Sequence, residues 1–163
     1  MANYFSKTAK ISQLSSIEIS TRGTDTTIGE NTVIDDFVKI KHVGGNGSIF
    51  IGNNCFINSC TVLYSGNGIL IGNNVLIGPN CSITPVNHEF KDKNKLIISQ
   101  GFTHSKGGII IEDDVWIGSN VVILDGSIIK KGSIIGACSL INNVIEAYSI
   151  NYGTPSKIVG YRE

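Results

Sequence analysis

Residues 111–141 read IEDDVWIGSNVVILDGSIIKKGSIIGACSLI, and an isoleucine occupies every sixth position of this stretch. A small or β-branched residue stands four positions after most of these isoleucines, as Val115 and Val121 do. An amphipathic helix needs a period near 3.6 and a half-buried strand a period of about 2, so neither explains the pattern. A period of six with two inward positions per unit predicts a solenoid that turns a corner after each short strand.

The same period occurs earlier in the chain, in groups of three units. Three units make one triangular coil with a strand on each face, and the coils are predicted to begin at Ile28, Ile51, Ile71, Ile111 and Ile129. Residues 1–163 are interpreted as a single β-helix domain, because the repeat covers too much of the chain for a second domain. Residues 1–27 follow the period poorly and are expected to form a loosely patterned first coil. Residues 151–163 are expected to form a C-terminal tail.

The repeat is interrupted only after the third unit of a coil. The surplus residues are 43–48, 64–68 and, as the longest segment, 84–108. Since each surplus follows the same unit, all three are predicted to leave from one corner of the prism, with residues 84–108 as a long extruded loop. The Gly and Asn residues at the tips of the two shorter segments adopt positive φ at low cost.

Composition limits the possible functions. The 13 basic and 13 acidic residues balance, so no excess of positive charge indicates nucleic acid or a membrane surface as a partner. The N-terminus lacks the apolar segment of a signal peptide, and no apolar run approaches the length of a membrane span. We therefore expect a cytoplasmic protein without membrane insertion, whose 4 cysteines are reduced. No cysteine has a Cys-x-x-Cys or metal-ligand spacing, so no metal site is expected.

Three segments carry a family resemblance: residues 110–123 (IIEDDVWIGSNVVI), 136–140 (GACSL) and 151–159 (NYGTPSKIV). Through them the chain resembles the hexapeptide-repeat acyltransferases, and within these the O-acetyltransferases of galactosides and bacterial surface polysaccharides. The resemblance implies an all-β fold, the left-handed parallel β-helix, although parallel crossovers are usually right-handed. It also implies a homotrimer that binds acetyl-CoA, the acyl donor, in clefts between neighbouring subunits.

The resemblance assigns the catalytic base to His88, just after Ile83 in the longest insertion. An alcohol is a poor nucleophile at neutral pH, and an imidazole titrates close enough to neutrality to remove its proton. The alternative is a loop histidine that only contacts solvent. Glu89 is a candidate acceptor-site residue that would orient the imidazole, although consecutive loop side chains usually point apart. His104, in the same insertion, is a second candidate base.

Two more residues are assigned to substrate binding by the resemblance. Asn58 matches an asparagine that holds the acceptor sugar, and a corner asparagine kept for its turn geometry is the alternative. Trp116 is the only tryptophan, and it directly precedes the inward Ile117, so its indole is expected to point outward. The resemblance has Trp116 line the acyl and acceptor end of the cleft, the alternative being an aromatic of the trimer interface. His42 stands at an earlier corner and is expected to be solvated.

Four small residues would form a wall along which the pantetheine arm of CoA approaches the backbone: Gly118, Ser119, Gly136 and Ala137. By resemblance, Pro155 and Lys157 lie near the adenine and the 3′-phosphate of CoA. The chain departs from the family at Asn142 and Asn143, where a Thr-Lys pair often contacts the phosphates. CoA binding is therefore expected to depend more on Lys157 and Arg162.

These residues predict an acetyl-CoA-dependent O-acetyltransferase that acts on a hydroxyl of a sugar or of a surface-polysaccharide precursor. Two alternatives use the same fold, namely N-acetylation of a nucleotide-linked amino sugar and O-acetylation of a small xenobiotic. A zinc hydratase is disfavoured, because the 3 histidines include no close pair. A structural or ice-binding solenoid is also disfavoured, because the sequence contains no regular array of threonines.

Overall fold

The computed structural model describes residues 2–163, and within them it contains short strands and a four-residue helix, α1 (Ile97–Gln100). In chain order the strands are β1 (Tyr4–Phe5), β2 (Lys10–Ile11), β3 (Ser16–Ile17), β4 (Thr26–Ile28), β5 (Val33–Ile34), β6 (Lys39–Lys41), β7 (Ile49–Ile51), β8 (Phe56–Ile57), β9 (Val62–Tyr64), β10 (Ile69–Ile71), β11 (Leu76–Ile77), β12 (Ser82–Thr84), β13 (Ile109–Ile111), β14 (Trp116–Ile117), β15 (Val122–Leu124), β16 (Ile128–Ile129), β17 (Ile134–Ile135), β18 (Leu140–Ile141), β19 (Val144–Ile145), β20 (Ser149–Tyr152) and β21 (Lys157–Tyr161). No helix in residues 2–163 has the length and apolar character needed to cross a membrane.

The strands form three sheets, which are the faces of a triangular prism. Face 1 has the order β1-β4-β7-β10-β13-β16-β19, face 2 the order β2-β5-β8-β11-β14-β17-β20-β21, and face 3 the order β3-β6-β9-β12-β15-β18. Each of the strands from β1 to β17 pairs in parallel with the strand three places later in the chain, which is the topology of a parallel β-helix. The isoleucines in register along face 1 are Ile28, Ile51, Ile71, Ile111 and Ile129. These are the coil starts predicted from the sequence, so the grouping into threes is confirmed.

The core is a set of stacked aliphatic side chains inside the prism. An inward isoleucine such as Ile117 has 0% solvent exposure, and its burial contributes roughly 1.5–3 kcal/mol relative to an exposed side chain. The second inward position of each unit takes a small or β-branched side chain, and where this is Thr or Cys it can donate to a turn carbonyl of the next coil. Thr32 Oγ1 donates to Gly52 O over 2.7 Å, and Cys81 Sγ to Gly118 O over 3.2 Å. Burial raises the pKa of the Cys81 thiol, which is free.

Three corners connect the faces. Corner 1 joins face 1 to face 2, corner 2 joins face 2 to face 3, and corner 3 joins face 3 to face 1 of the next coil. At corner 1, Asn53 N–H donates to Asn73 Oδ1 over 2.9 Å, and Asn73 N–H donates to Asp113 Oδ1 over 2.6 Å. Asn54 and Asn74 follow with φ angles of 55° and 58°. Corner 1 therefore uses asparagine both for its backbone conformation and to cap the coil before it.

Both ends of the prism contain ordered strands. Residues 4–17 place one strand on each face, with the register pairs Phe5–Ile28, Ile11–Ile34 and Ile17–Ile40. The period of six is thus kept in this coil, with a phenylalanine at the first inward position and partial exposure because the coil lies at the end of the stack. At the other end, β20 and β21 form an antiparallel hairpin on face 2.

Corner 3 carries the three predicted insertions, which span residues 42–48, 65–68 and 85–108 in the structure, and a further one at residues 18–25 that the sequence did not predict. The insertions of residues 42–48 and 65–68 stack on each other, since Gly47 N–H donates to Gly66 O and Gly66 N–H to Val43 O, both over 3.0 Å. Gly66 has a φ of 42°, and a Cβ there would lie 2.6 Å from Pro85 O. Glycine is therefore required at this tip, and the tips form a platform for the start of the long loop.

The expectation that His42 is solvated is wrong. Its side chain is buried, with 3% exposure. Nδ1 lies 2.8 Å from Thr24 Oγ1 and Nε2 lies 3.1 Å from Thr26 Oγ1, so each ring nitrogen has a hydroxyl partner. Burial lowers the pKa of His42, while the carboxylates of Glu18 and Asp25 oppose this shift.

Candidate active site

His88 lies on a short ladder between the two limbs of the long loop. It forms an antiparallel bridge with Phe102, and next to this bridge Thr103 N–H donates to Asn87 O over 2.9 Å. The ring centroids of His88 and Phe102 are 4.8 Å apart. The ladder and the ring contact together restrict the position of the imidazole.

The imidazole lines a cavity of about 350 Å³ at corner 3. Tyr64, Thr84 and Asn87, whose side chains carry hydrogen-bonding groups, line it together with the apolar Val86. The complete lining is Val43, Gly44, Tyr64, Thr84, Val86, Asn87, His88 and Phe102. A mostly apolar cavity with a few convergent polar groups is typical of a site for a small molecule.

The Glu89 carboxylate caps its own loop. Oε1 accepts hydrogen bonds from Phe90 N–H over 2.9 Å and from Lys91 N–H over 3.1 Å. Both bonds lower the pKa of Glu89, and the bond from Lys91 N–H has the larger effect on this pKa. Within residues 2–163 no carboxylate is hydrogen-bonded to the His88 imidazole, and His104 is exposed in the same loop. Residues 2–163 also contain no group of three or more His, Cys, Asp or Glu side chains placed to share a metal ion.

Asn58 and Trp116 lie on or beside face 2, away from the cavity at corner 3. Asn58 Nδ2 donates to Ile77 O of the next coil over 2.8 Å, so its amide is used for coil stacking. Trp116 stands between Leu76 and Ile134 on the outer surface of face 2, with 54% of its surface exposed. Within the chain the structure therefore brings neither residue to the imidazole.

The four small residues of the predicted CoA wall lie together at corner 2, in two successive coils. A Cβ on Gly118 would lie 2.7 Å from Ala137 N, and one on Gly136 would overlap the Tyr152 ring. Coil stacking therefore requires both glycines. The backbone N–H groups of Ser119 and Ala137 have no acceptor within residues 2–163. Corner 2 thus presents unpaired backbone donors at positions where corner 1 has asparagine and aspartate caps.

The C-terminal hairpin folds back onto corner 2. Its turn is anchored where Thr154 Oγ1 donates to Cys138 O over 3.3 Å. Pro155 and Lys157 are exposed on this turn and the strand that follows. The structure therefore brings both residues to the corner that carries the wall of small residues, and their contact with CoA stays a prediction.

Arg162, which was expected to support CoA binding together with Lys157, lies at a different corner from that lysine, and its role toward CoA stays a prediction. The antiparallel pairing of β20 and β21 puts Lys157 at corner 2 and Arg162 at corner 1. Nη1 of Arg162 lies 2.9 Å from Asp114 Oδ2 and donates to Gly132 O, also over 2.9 Å. This arginine ties the end of the chain to the prism.

The candidate residues therefore form two groups at different corners of the chain. Corner 3 holds His88 and the cavity, and corner 2 holds the small-residue wall and Lys157. Face 3 lies between them. Residues 120–124, which cross this face, span about 13 Å at about 3.3 Å per residue.

Sequence reasoning missed two aromatic residues of the cavity. Tyr64 directly follows the inward Leu63 and begins an insertion at corner 3. The repeat therefore contained enough information to predict that Tyr64 lies beside the long loop. Phe102 lies in a non-repetitive segment, and its pairing with His88 follows from the folded path of the loop.

Known proteins show related sequences. The family described as bacterial transferase hexapeptide (six repeats) matches residues 108–143. WbbJ of Escherichia coli strain K12, provisionally assigned as an O-acetyl transferase of lipopolysaccharide biosynthesis, is 30% identical over 71% of this chain and 61% of WbbJ. Rv3034c of Mycobacterium tuberculosis, provisionally assigned as an acetyltransferase, is 32% identical over 72% of this chain and 38% of Rv3034c. The chain thus spans only 61% and 38% of the lengths of these relatives.

Solved structures show the same architecture. The hexapeptide-repeat-containing acetyltransferase VCA0836 from Vibrio cholerae superposes with a TM-score of 0.68 at 30% identity, over 83% of this chain and 73% of VCA0836. A variant of AntD, an N-acyltransferase from Bacillus cereus, reaches a TM-score of 0.82 at 24% identity over 99% of this chain and 84% of AntD, a likeness of fold alone. The fold prediction of a left-handed parallel β-helix is confirmed. Its repeat, its motifs and its likeness to VCA0836 show that the chain belongs to the hexapeptide-repeat acetyltransferases.

Proposed function

We propose that this protein is an acetyl-CoA-dependent O-acetyltransferase that acts in the cytoplasm on a hydroxyl of a sugar or of a surface-polysaccharide precursor. The observation that carries the proposal is the cavity at corner 3, which His88 lines together with Tyr64, Thr84 and Asn87. Hydroxyl and amide groups of this kind recognise a polyhydroxylated acceptor. Family membership and the similarity to WbbJ support the same reaction.

In this mechanism His88 is the general base. Acetyl-CoA supplies the acyl group as a thioester. The imidazole removes the proton of the acceptor hydroxyl while the oxygen bonds to the acyl carbon. The imidazolium then returns this proton to the departing thiolate sulfur, which leaves His88 neutral for the next turnover. The Phe102 ring, 4.8 Å from the imidazole, limits its rotation.

Corner 2 has the chemistry needed to bind acetyl-CoA. The unpaired N–H groups of Ser119 and Ala137 fit carbonyl oxygens along the pantetheine arm, and that of Ser119 fits the oxygen that gains negative charge as the acyl carbon is attacked. The exposed ammonium of Lys157 suits the 3′-phosphate, with Pro155 beside the adenine. Trp116 would line the acyl end from face 2.

The complete site is proposed to form between two subunits of a homotrimer. One subunit would supply His88 from corner 3 and its neighbour the wall at corner 2, because face 3, whose crossing takes about 13 Å of extended chain, lies between these groups within one chain. The outer surfaces of faces 1 and 2 support self-association. Phe50 and Leu70 on face 1 are 45% and 46% exposed, and Leu76 on face 2 is 51% exposed. Contiguous exposed apolar surface of this kind is typical of an interface.

The test is thiol release from acetyl-CoA across a panel of free sugars, oligosaccharides, nucleotide-linked amino sugars and small hydroxylated xenobiotics. Turnover with a carbohydrate hydroxyl is the expected result, whereas turnover only with amines would support the N-acetyltransferase alternative. His88→Ala should lower kcat by about 10²–10⁴-fold. His104→Ala, the matched change in the same loop, should keep kcat near the parent value. A His88→Ala variant that acetylates hydroxyls at the parent rate would refute the proposed mechanism.

A further inference from the structure

A single carboxylate holds the returning limb of the long loop. Asp125, in the turn after β15, accepts hydrogen bonds from Lys106 N–H over 2.8 Å and from Gly108 N–H over 2.9 Å. Its third partner is Asn67, whose Nδ2 donates over 3.0 Å. Gly108 O also accepts Gly126 N–H over 2.7 Å. The return of the loop is therefore fixed to the β15 turn.

Asn67 holds the departing limb of the same loop. Its backbone N–H donates to Pro85 O over 3.0 Å, while its side chain reaches Asp125. Pro85 precedes His88 by three residues. The Asn67–Asp125 pair therefore joins the two ends of the loop to one point of the prism.

Hydrogen bonds between the two limbs of the loop extend the hold of the Asn67–Asp125 pair as far as the imidazole. Thr103 N–H bonds Asn87 O over 2.9 Å and Glu89 N–H bonds Gly101 O over 3.0 Å, on either side of the bridge that sets the Phe102 ring against the imidazole. Neither Asn67 nor Asp125 lines the cavity. Each can act on the reaction only through the loop.

We propose that Asn67 and Asp125 are positioning residues for His88, an inference that rests on the proposed function. They hold the base of the loop in the register that aims the imidazole at the acceptor. A displacement of about 1 Å at a reacting group can cost up to about a hundredfold in rate. Loosening the pair should therefore lower turnover while leaving the binding of acetyl-CoA at corner 2 unchanged.

The test uses Asp125→Ala and Asp125→Asn in the full chain. Asp125→Ala should lower kcat by about 10- to 100-fold with an unchanged KM for acetyl-CoA. Asp125→Asn keeps one carbonyl oxygen for a loop N–H and should recover part of this loss. Amide hydrogen exchange should accelerate in residues 86–106 and stay unchanged in the coils, a readout that requires no activity.

Asp113→Ala is the matched control, because Asp113 also caps the backbone of a neighbouring coil with its carboxylate, at corner 1. It should leave kcat and the exchange of residues 86–106 unchanged. The inference is overturned if Asp125→Ala keeps the parent kcat, if exchange rises equally throughout the chain, or if Asp113→Ala has the same effects. If His88→Ala remains fully active while exchange rises only in the loop, the proposed function fails although Asp125 does fix the loop.

Discussion

Replacing Ser119 by proline would remove one backbone N–H from corner 2 with little change to the fold. Pro79 occupies the same corner position one coil earlier, since Asn120 N–H bonds Pro79 O just as Cys138 N–H bonds Ser119 O. The backbone at this position therefore accommodates a pyrrolidine ring. Because Ser119 N–H has no acceptor within residues 2–163, the substitution breaks no internal hydrogen bond.

The expected effect is large on catalysis and small on stability. Removing one donor to a developing oxyanion costs about 10²–10³-fold in kcat, or roughly 2.7–4 kcal/mol of transition-state stabilisation. The stability change should be between zero and a gain of about 1 kcal/mol, since proline restricts the unfolded chain. Ser119→Pro should therefore separate activity from folding.

The assay is thiol release from acetyl-CoA under saturating acceptor, together with a thermal melt. Ser119→Ala is the control, because it removes the hydroxyl and keeps the N–H, and it should retain kcat within a few-fold of the parent. If Ser119→Pro turns over at the parent rate, corner 2 does not stabilise the oxyanion at this residue. If it melts far below the parent, the equivalence with Pro79 is wrong.

Three further predictions address assembly, register and pH. Equal co-expression of His88→Ala and Ser119→Pro chains should restore about a quarter of the parent activity, because a quarter of the interfaces in random trimers join two intact halves. If no activity is recovered, each subunit uses its own His88 and Ser119. Ile40→Asp buries an unpaired carboxylate in the prism and should abolish cooperative melting. Lys39→Asp, on the adjacent outer position, should melt within a few degrees of the parent. If the two variants melt alike, the inward register assigned to Ile40 is wrong. Burial holds the pKa of His42 below its usual 6.5, so its stabilising contribution is complete above pH 6.5 and declines as the pH falls below that value. His42→Gln should therefore flatten the fall in melting temperature from about pH 7 to about pH 5, and an unchanged slope would contradict this assignment.

The prism could be predicted because its packing is local and repetitive. Each inward isoleucine meets the residue in the same place of the next coil, so a period of six in the sequence translates directly into register. The surplus residues likewise predicted corner 3, because all of them follow the third unit of a coil while the three units within each coil keep the period of six.

The environment of single side chains followed less directly from the repeat. His42 is buried because the first insertion, which has no repeat, folds over it and supplies Thr24. Arg162 and Lys157 are five residues apart, and they lie at different corners because β21 crosses face 2 between them. The Phe102 contact with His88 depends on how the long loop closes on itself. Long-range folding of irregular segments decided these cases.

The hairpin of β20 and β21 also changes the strand edge that face 2 presents. A stack of parallel coils leaves open strand edges at its ends, and such edges invite another molecule to extend the ladder into a fibre. On face 2 the last strand, β21, runs antiparallel to β20 and carries Tyr161 and Lys157 along its length. A second prism approaching this edge would find the opposite strand direction and could not continue the register. The reversal of one strand thus gives face 2 an edge whose direction differs from that of the parallel coils before it.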